Sequence, residues 1–215
     1  MSTIISEGEG GRKLFFEFSD KWKVCKYDET NPENFYNKLK YNGYKAVDFI
    51  AVSDKAFLLI EVKYVLADDE QSSIRFSFED NRYAKVLQEM KGKLCKEEIN
   101  AVSFSNKRPY LVDEIDKKVR DTLVGLLASY RSKDSKLSTY NRPFLFEDKP
   151  VFVIVFLERN VELNQPGVFK PMASSLKTAI ELKLSFLGNI KVDVINTLTI
   201  PQSLGIKVSA TGFES

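Results

Sequence analysis

The chain has 215 residues, 43% of them hydrophobic, and its 32 basic and 30 acidic residues nearly cancel to a net charge of +2. That length and apolar content fit one large domain with a sizeable core, and the balanced charge means that any basic surface for a polyanionic partner must be local. Histidine is absent and there are only two cysteines, which excludes Ser-His-Asp and Cys-His nucleophiles, His-ligated zinc and a disulfide framework, and fits a reducing compartment.

Taken in chain order, the polar, Gly-rich start MSTIISEGEGGRK has no apolar signal core, and residues 1–12 are expected to be a loose arm. Gly8-Glu9-Gly10-Gly11 is too weak a pattern for a phosphate loop. Leu14–Phe18 and Trp22–Tyr27 are short and aromatic-rich, as strands are. Asn31-Pro32-Glu33 reads as a helix start, and Asn42-Gly43 should stop that helix after Tyr41. Lys45–Tyr64 then reads as a hairpin of two buried strands, with Ser53-Asp54-Lys55-Ala56 as its turn.

Residues 65–110 form a candidate helical insertion in which acids and bases balance, as in a solvated excursion. Its first part, Ala67–Asp80, reads as a loop, with extra metal ligands as the functional alternative. Tyr83–Ile99 has helical spacing. Val112–Tyr130 is a long amphipathic helix whose stripe is Val112, Ile115, Val119, Leu123, Leu126, Leu127 and Tyr130, with Asp113, Glu114 and Lys117 facing away. One flank is polar and small: Lys118, Thr122, Gly125 and Ser129 permit either close approach of a ligand or tight packing on the sheet.

Arg131–Lys136 is a polar link. Val151–Glu158 is apolar on both faces, like a central strand. Met172–Leu187 is a helix with Leu176, Ile180, Leu184 and Leu187 inward, Ile190–Ile195 is a further strand, and Asn196–Ser215 is coil or an edge strand. The longest apolar run, Val151–Leu157, is far short of the roughly 20 residues that span a bilayer, so a cytoplasmic protein with no membrane partner is expected. The order implies an α/β fold: a mixed sheet, made of an antiparallel hairpin and a parallel crossover strand, with helices on both faces.

The hairpin carries the chemistry. With Asp54-Lys55 as a two-residue loop, Val52 faces Phe57, Ile50 faces Leu59 and Asp48 faces Glu61, and Lys63 projects to the same side. Two facing acids repel and are costly to bury unless positive charge lies between them, which a divalent cation and a nearby lysine would supply. Oxygen ligands favour Mg²⁺ or Mn²⁺. A slip of one residue would turn Asp48 away, leaving Glu61 and Lys63 as ordinary strand-end charges.

Asp48 followed by Glu61-Val62-Lys63 on a hairpin, then a helix and a strand, resembles the PD-(D/E)XK (restriction-endonuclease-like) nuclease superfamily. Trp22 to Tyr36 (WKVCKYDETNPENFY) and Lys118-Val-Arg-Asp-Thr-Leu-Val-Gly-Leu look more narrowly like an uncharacterised bacterial group within it. The resemblance covers roughly residues 20–160, with Val47 in place of the proline of the motif's name. It implies a catalytic set of Asp48, Glu61 and Lys63, in which Asp48, Glu61 and the Val62 backbone carbonyl hold Mg²⁺ or Mn²⁺ and Lys63 orients or helps deprotonate the attacking water. Asp28 is the leading candidate for an added metal-binding acid, ahead of Glu29 and Glu33. Lys118 is the candidate phosphate contact, with Arg120 behind it on the opposite flank. The implied activity is Mg²⁺-dependent cleavage of nucleic acid, DNA rather than RNA, in defence against foreign DNA or in repair, by a homodimer or with a protein partner. The alternative is a catalytically silent subunit of the same fold that binds nucleic acid or assembles with partners.

Overall fold

A computed structural model describes residues 2–9, 11–29, 31, 33–65, 75–76, 89, 93 and 110–212. Its frame is a five-stranded sheet built around the hairpin: β3 (Lys23–Lys26), β4 (Phe49–Val52), β5 (Phe57–Tyr64), β6 (Val151–Glu158) and β7 (Ile190–Ile195), in that spatial order. β3, β4 and β5 are antiparallel neighbours, and β6 and β7 continue parallel to β5. β5 and β6 are apolar on both faces because both faces are covered. Val52 pairs with Phe57, Ile50 with Leu59 and Phe49 with Ile60, the register expected from a two-residue turn.

Helices cover one face: α1 (Phe35–Lys40), α2 (Leu111–Arg131), α3 (Ser138–Phe146) and α5 (Pro166–Leu184), the last preceded by the short α4 (Val161–Asn164). The core there joins Ile50, Phe57, Leu59, Val153 and Val155 of the sheet to Ile115, Val119 and Leu126 of α2 and Leu176 and Ile180 of α5. Helices on both faces were expected, but a second sheet packs on the opposite face, made of β1 (Thr3–Glu9), β2 (Arg12–Phe18) and β8 (Ile206–Thr211) in the order β1-β2-β8. Leu14, Phe16 and Phe18 alternate inward from β2 onto Phe49, Leu58, Ile60 and Phe156. The Phe16 ring meets those of Phe49 and Phe156 edge-on at 5.3 and 5.0 Å.

Within the stretch expected to be a loose arm, Thr3–Glu9 is therefore a strand. β1 is an edge strand held by its pairing with β2 more than by burial, since Ile4 stays exposed, so its apolar signal is faint. β8 realises the edge-strand reading of the C-terminal stretch. Between the polar link Arg131–Lys136 and β6 lies a helix that was not expected, α3, hidden by an internal Pro143. Its Asn141 donates to Ser129 Oγ at 3.0 Å, and its Phe144 ring lies 5.5 Å from that of Phe57.

Two helix starts also move. α1 is capped by Asn34, whose side chain accepts from the Tyr36 N–H, and α5 begins at Pro166 and not at Met172. The expected insertion at 65–110, with its helix at Tyr83–Ile99, lies almost wholly outside the described residues.

The small flank of α2 packs tightly on the protein. Thr122, Gly125 and Ser129 are buried while Leu127 and Tyr130 are substantially exposed, so the helix is rotated toward its small residues. A Cβ on Gly125 would collide with Tyr27 Oη and lie 2.8 Å from Leu39 Cδ1. Among the described residues no helix is long and apolar enough to cross a membrane.

Candidate active site

Asp48 immediately precedes the first paired residue of β4, so the observed register places it opposite Glu61. On β5, Phe57 and Leu59 face the helices, and alternation brings Glu61 and Lys63 to the same side. Here β4 has peeled away from its partner: the Val47 N–H donates to Thr122 Oγ1 of α2 at 3.0 Å. The Val62 N–H, which would have met that strand, donates instead to Asp48 Oδ2 at 2.5 Å. The Val62 carbonyl leaves β5 on the same edge, by strand geometry. The acids thus sit where the hairpin opens, at the carboxyl end of a parallel strand, a usual place for ligands in α/β sheets.

α2 closes the site from above. Lys118 Nζ lies 2.5 Å from Glu61 Oε1 and 3.8 Å from Asp48 Oδ1. Lys63 Nζ bridges Glu61 Oε1 at 2.7 Å and Glu114 Oε1 at 2.6 Å, and Glu114 Oε2 holds the Arg75 guanidinium at 2.7 Å. Glu114 therefore faces the site, against the expectation that it points away. Its place four residues before Lys118 on one helical flank was the available signal. An open cavity of about 700 Å³ lies over this cluster, lined by Asp48, Lys63, Glu114, Lys118, Lys45 and Lys117 among others. Glu61 is fully buried.

The electrostatics follow from burial. Asp48 is pushed up to about 7, first by burial, with the neighbouring Asp28 adding to the effect and Lys118 opposing it. Glu61 is likewise pushed up to about 7 by burial and the charge of Asp48, against the pull of Lys63 and Lys118. Asp28 is raised by burial and by Glu7 of β1. Burial works against the Lys63 ammonium, but Glu61 and Glu114 outweigh it and hold its pKa above the ordinary lysine value. In this arrangement Lys63 is a fixed cation, not the depressed, proton-exchanging lysine that a metal neighbour would make.

The donor set suits a hard divalent cation. It is all carboxylate and carbonyl oxygen, and Glu61 Oε2 and Asp28 Oδ1 are buried without hydrogen-bond partners. Among the described residues, however, no three of His, Cys, Asp and Glu converge closely enough to hold an ion. Two candidates lie apart from the cluster. Glu33 is exposed and paired with Lys136 at 2.6 Å, and Arg120 is half exposed and paired with Asp116 at 2.7 Å. Glu7, which pairs with Lys26 at 2.6 Å and lines the cavity, comes from a strand for which the sequence carries little signal.

Another buried acid, Glu158 at the end of β6, is engaged by three hydrogen bonds. Its Oε1 accepts from Asn164 at 2.6 Å and from the Thr197 hydroxyl at 2.9 Å, and its Oε2 accepts from the Thr197 N–H at 3.2 Å. It locks the ends of β6 and β7.

No protein-family model, curated protein or solved structure matches this chain.

Proposed function

We propose that the chain is a restriction-endonuclease-like phosphodiesterase that hydrolyses nucleic acid, DNA in preference to RNA, with Mg²⁺ or Mn²⁺ held by Asp48, Glu61 and the Val62 carbonyl and with Asp28 nearby. The observation that carries this reading is the meeting of two buried acids, both raised chiefly by burial, with Lys63 under an open cavity, at the point where the hairpin opens. A protein spends stability to bury such a cluster, and perturbed acids beneath a cleft are a usual mark of a functional site. The bound ion would polarise a phosphate oxygen and acidify a water.

Lys63, charged and held between Glu61 and Glu114, places a positive charge beside the reacting phosphate and offsets the charge that develops there. Glu114 and Arg75 fix its direction. Lys45 and Lys117 line the mouth of the cavity, where a phosphate backbone would meet them.

A second reading is a silent subunit of the same architecture that only binds nucleic acid. One observation favours it: Lys63 and Lys118 both pair with Glu61 and supply positive charge there without a metal. A cleavage assay on linear, supercoiled and single-stranded DNA and on RNA, in Mg²⁺, Mn²⁺ and EDTA, separates the two. Cleavage in either metal that stops in EDTA and in Asp48→Asn supports the enzyme. Retained binding with no cleavage of any substrate supports the silent subunit.

A further inference from the structure

We propose that Lys118 is the internal counter-ion of the metal-free site, and that its ammonium and a divalent cation occupy the space between Asp48 and Glu61 in alternation. The proposal rests on the reading of those two acids as the metal-holding pair.

Lys118 is the one cation, among the described residues, that reaches both acids: its Nζ is 2.5 Å from Glu61 Oε1 and 3.8 Å from Asp48 Oδ1. Lys63 pairs with Glu61 but turns its remaining valence to Glu114. Glu61 Oε2 is left buried and unpartnered. Lys118 thus serves one oxygen of Glu61 well, Asp48 poorly and the other Glu61 oxygen not at all. An ammonium is a monovalent point charge with few directions, whereas a divalent ion accepts six or more oxygens and serves several at once. The two cannot share the space, because like charges a few ångströms apart in a buried site repel strongly.

The surroundings allow the side chain to leave and hold its backbone in place. Thr122 Oγ1 accepts from the Val47 N–H at 3.0 Å and donates to the Lys118 carbonyl at 2.8 Å. This clamps the Lys118 turn of α2 to the segment carrying Asp48, so exchange is a matter of side-chain rotation. Lys118 also lines the cavity, together with Lys45 and Lys117. Its four-carbon stem lets the ammonium swing from the acids into that space, where it becomes available to a phosphate oxygen. Loading of the ion and readiness for a phosphodiester are then one event.

The test uses Mn²⁺ alone as the probe, on the full chain. Lys118→Met keeps the stem and removes the charge. In EDTA it should melt below wild type, because the acids lose their counter-ion. Its Mn²⁺ affinity by calorimetry should rise by roughly tenfold or more, since no charge has to be displaced. On wild type, acylation of Lys118 mapped by mass spectrometry should increase several-fold when Mn²⁺ is added, while Lys149, which pairs with Glu147 away from the site, stays constant. This arm needs no folded variant. Mn²⁺ binding to Lys118→Met no tighter than to wild type, or Lys118 labelling that does not change with bound Mn²⁺, overturns the proposal while leaving Asp48 and Glu61 as metal ligands. Absence of Mn²⁺ binding to either chain overturns both the proposal and the metal reading beneath it.

Discussion

Asp48 Oδ2 accepts the Val62 N–H at 2.5 Å, so a side chain replaces the backbone partner that β5 loses where the hairpin opens. The same carboxylate lies 3.8 Å from Lys118. One residue therefore closes the sheet edge and contributes charge to the site, and the two roles are separable by substitution. Asp48→Asn keeps an oxygen for Val62, whereas Asp48→Ala leaves a buried N–H without an acceptor. In EDTA, Asp48→Ala is expected to be less stable than Asp48→Asn by about 1–3 kcal/mol, the cost of an unsatisfied buried donor. Urea denaturation measures the difference, and equal stabilities would remove the structural role of this bond.

The acid cluster also imposes a pH dependence. Asp48 rises from an ordinary 3.8 to about 7 in the folded chain, so between those values the folded state holds a proton that the unfolded state has released. Stability from this group is fully present below pH 4 and is lost as pH rises through about 7. Removing Asp48 also relieves Glu61, which changes stability in the same sense. The unfolding free energy of wild type minus that of Asp48→Asn, measured in EDTA, should fall from pH 4 to pH 7 and level off above it. A difference that grows with pH would mean that the acids are well compensated without metal.

Gly125 tests how the helix carrying Lys118 is seated. An alanine there gains about 1 kcal/mol of helix propensity, but its methyl group meets buried Tyr27 and Leu39. Overpacking of this kind typically costs about 1–3 kcal/mol, so steric conflict should win and Gly125→Ala should lower the melting temperature. A melting temperature at or above that of wild type would show that α2 can move outward freely.

Much of the sheet was legible because its strands are buried on both faces and its turn has only two residues. Val52 opposite Phe57 sets where Asp48 falls, so the pairing of Asp48 with Glu61 and the side on which Lys63 lies follow from counting. Lys118 was legible as a flank position on a long periodic helix. The second sheet was not, because β1 and β8 are edge strands held largely by backbone pairing to β2, and pairing between distant segments leaves no local pattern. Glu114 and Glu7 were missed for related reasons: one lies at the margin of a helical stripe, and the other on an edge strand. The raised pKa of Lys63 depends on both Glu61 and Glu114, a convergence that no spacing in the sequence announces.

The most direct measurement of the central claim is Mg²⁺-dependent cleavage by purified Lys63→Ala beside wild type, with Mg²⁺ affinity measured on the same samples. Removing this cation from beside the acids should leave metal affinity unchanged or slightly higher, while turnover falls by roughly a hundredfold or more. Lys63→Arg keeps the charge, but its planar guanidinium is a poor substitute for a compact ammonium held between Glu61 and Glu114, so it should restore the rate only in part. Cleavage by Lys63→Ala at the wild-type rate would contradict the mechanism and return Glu61-Val62-Lys63 to the status of an ordinary strand end.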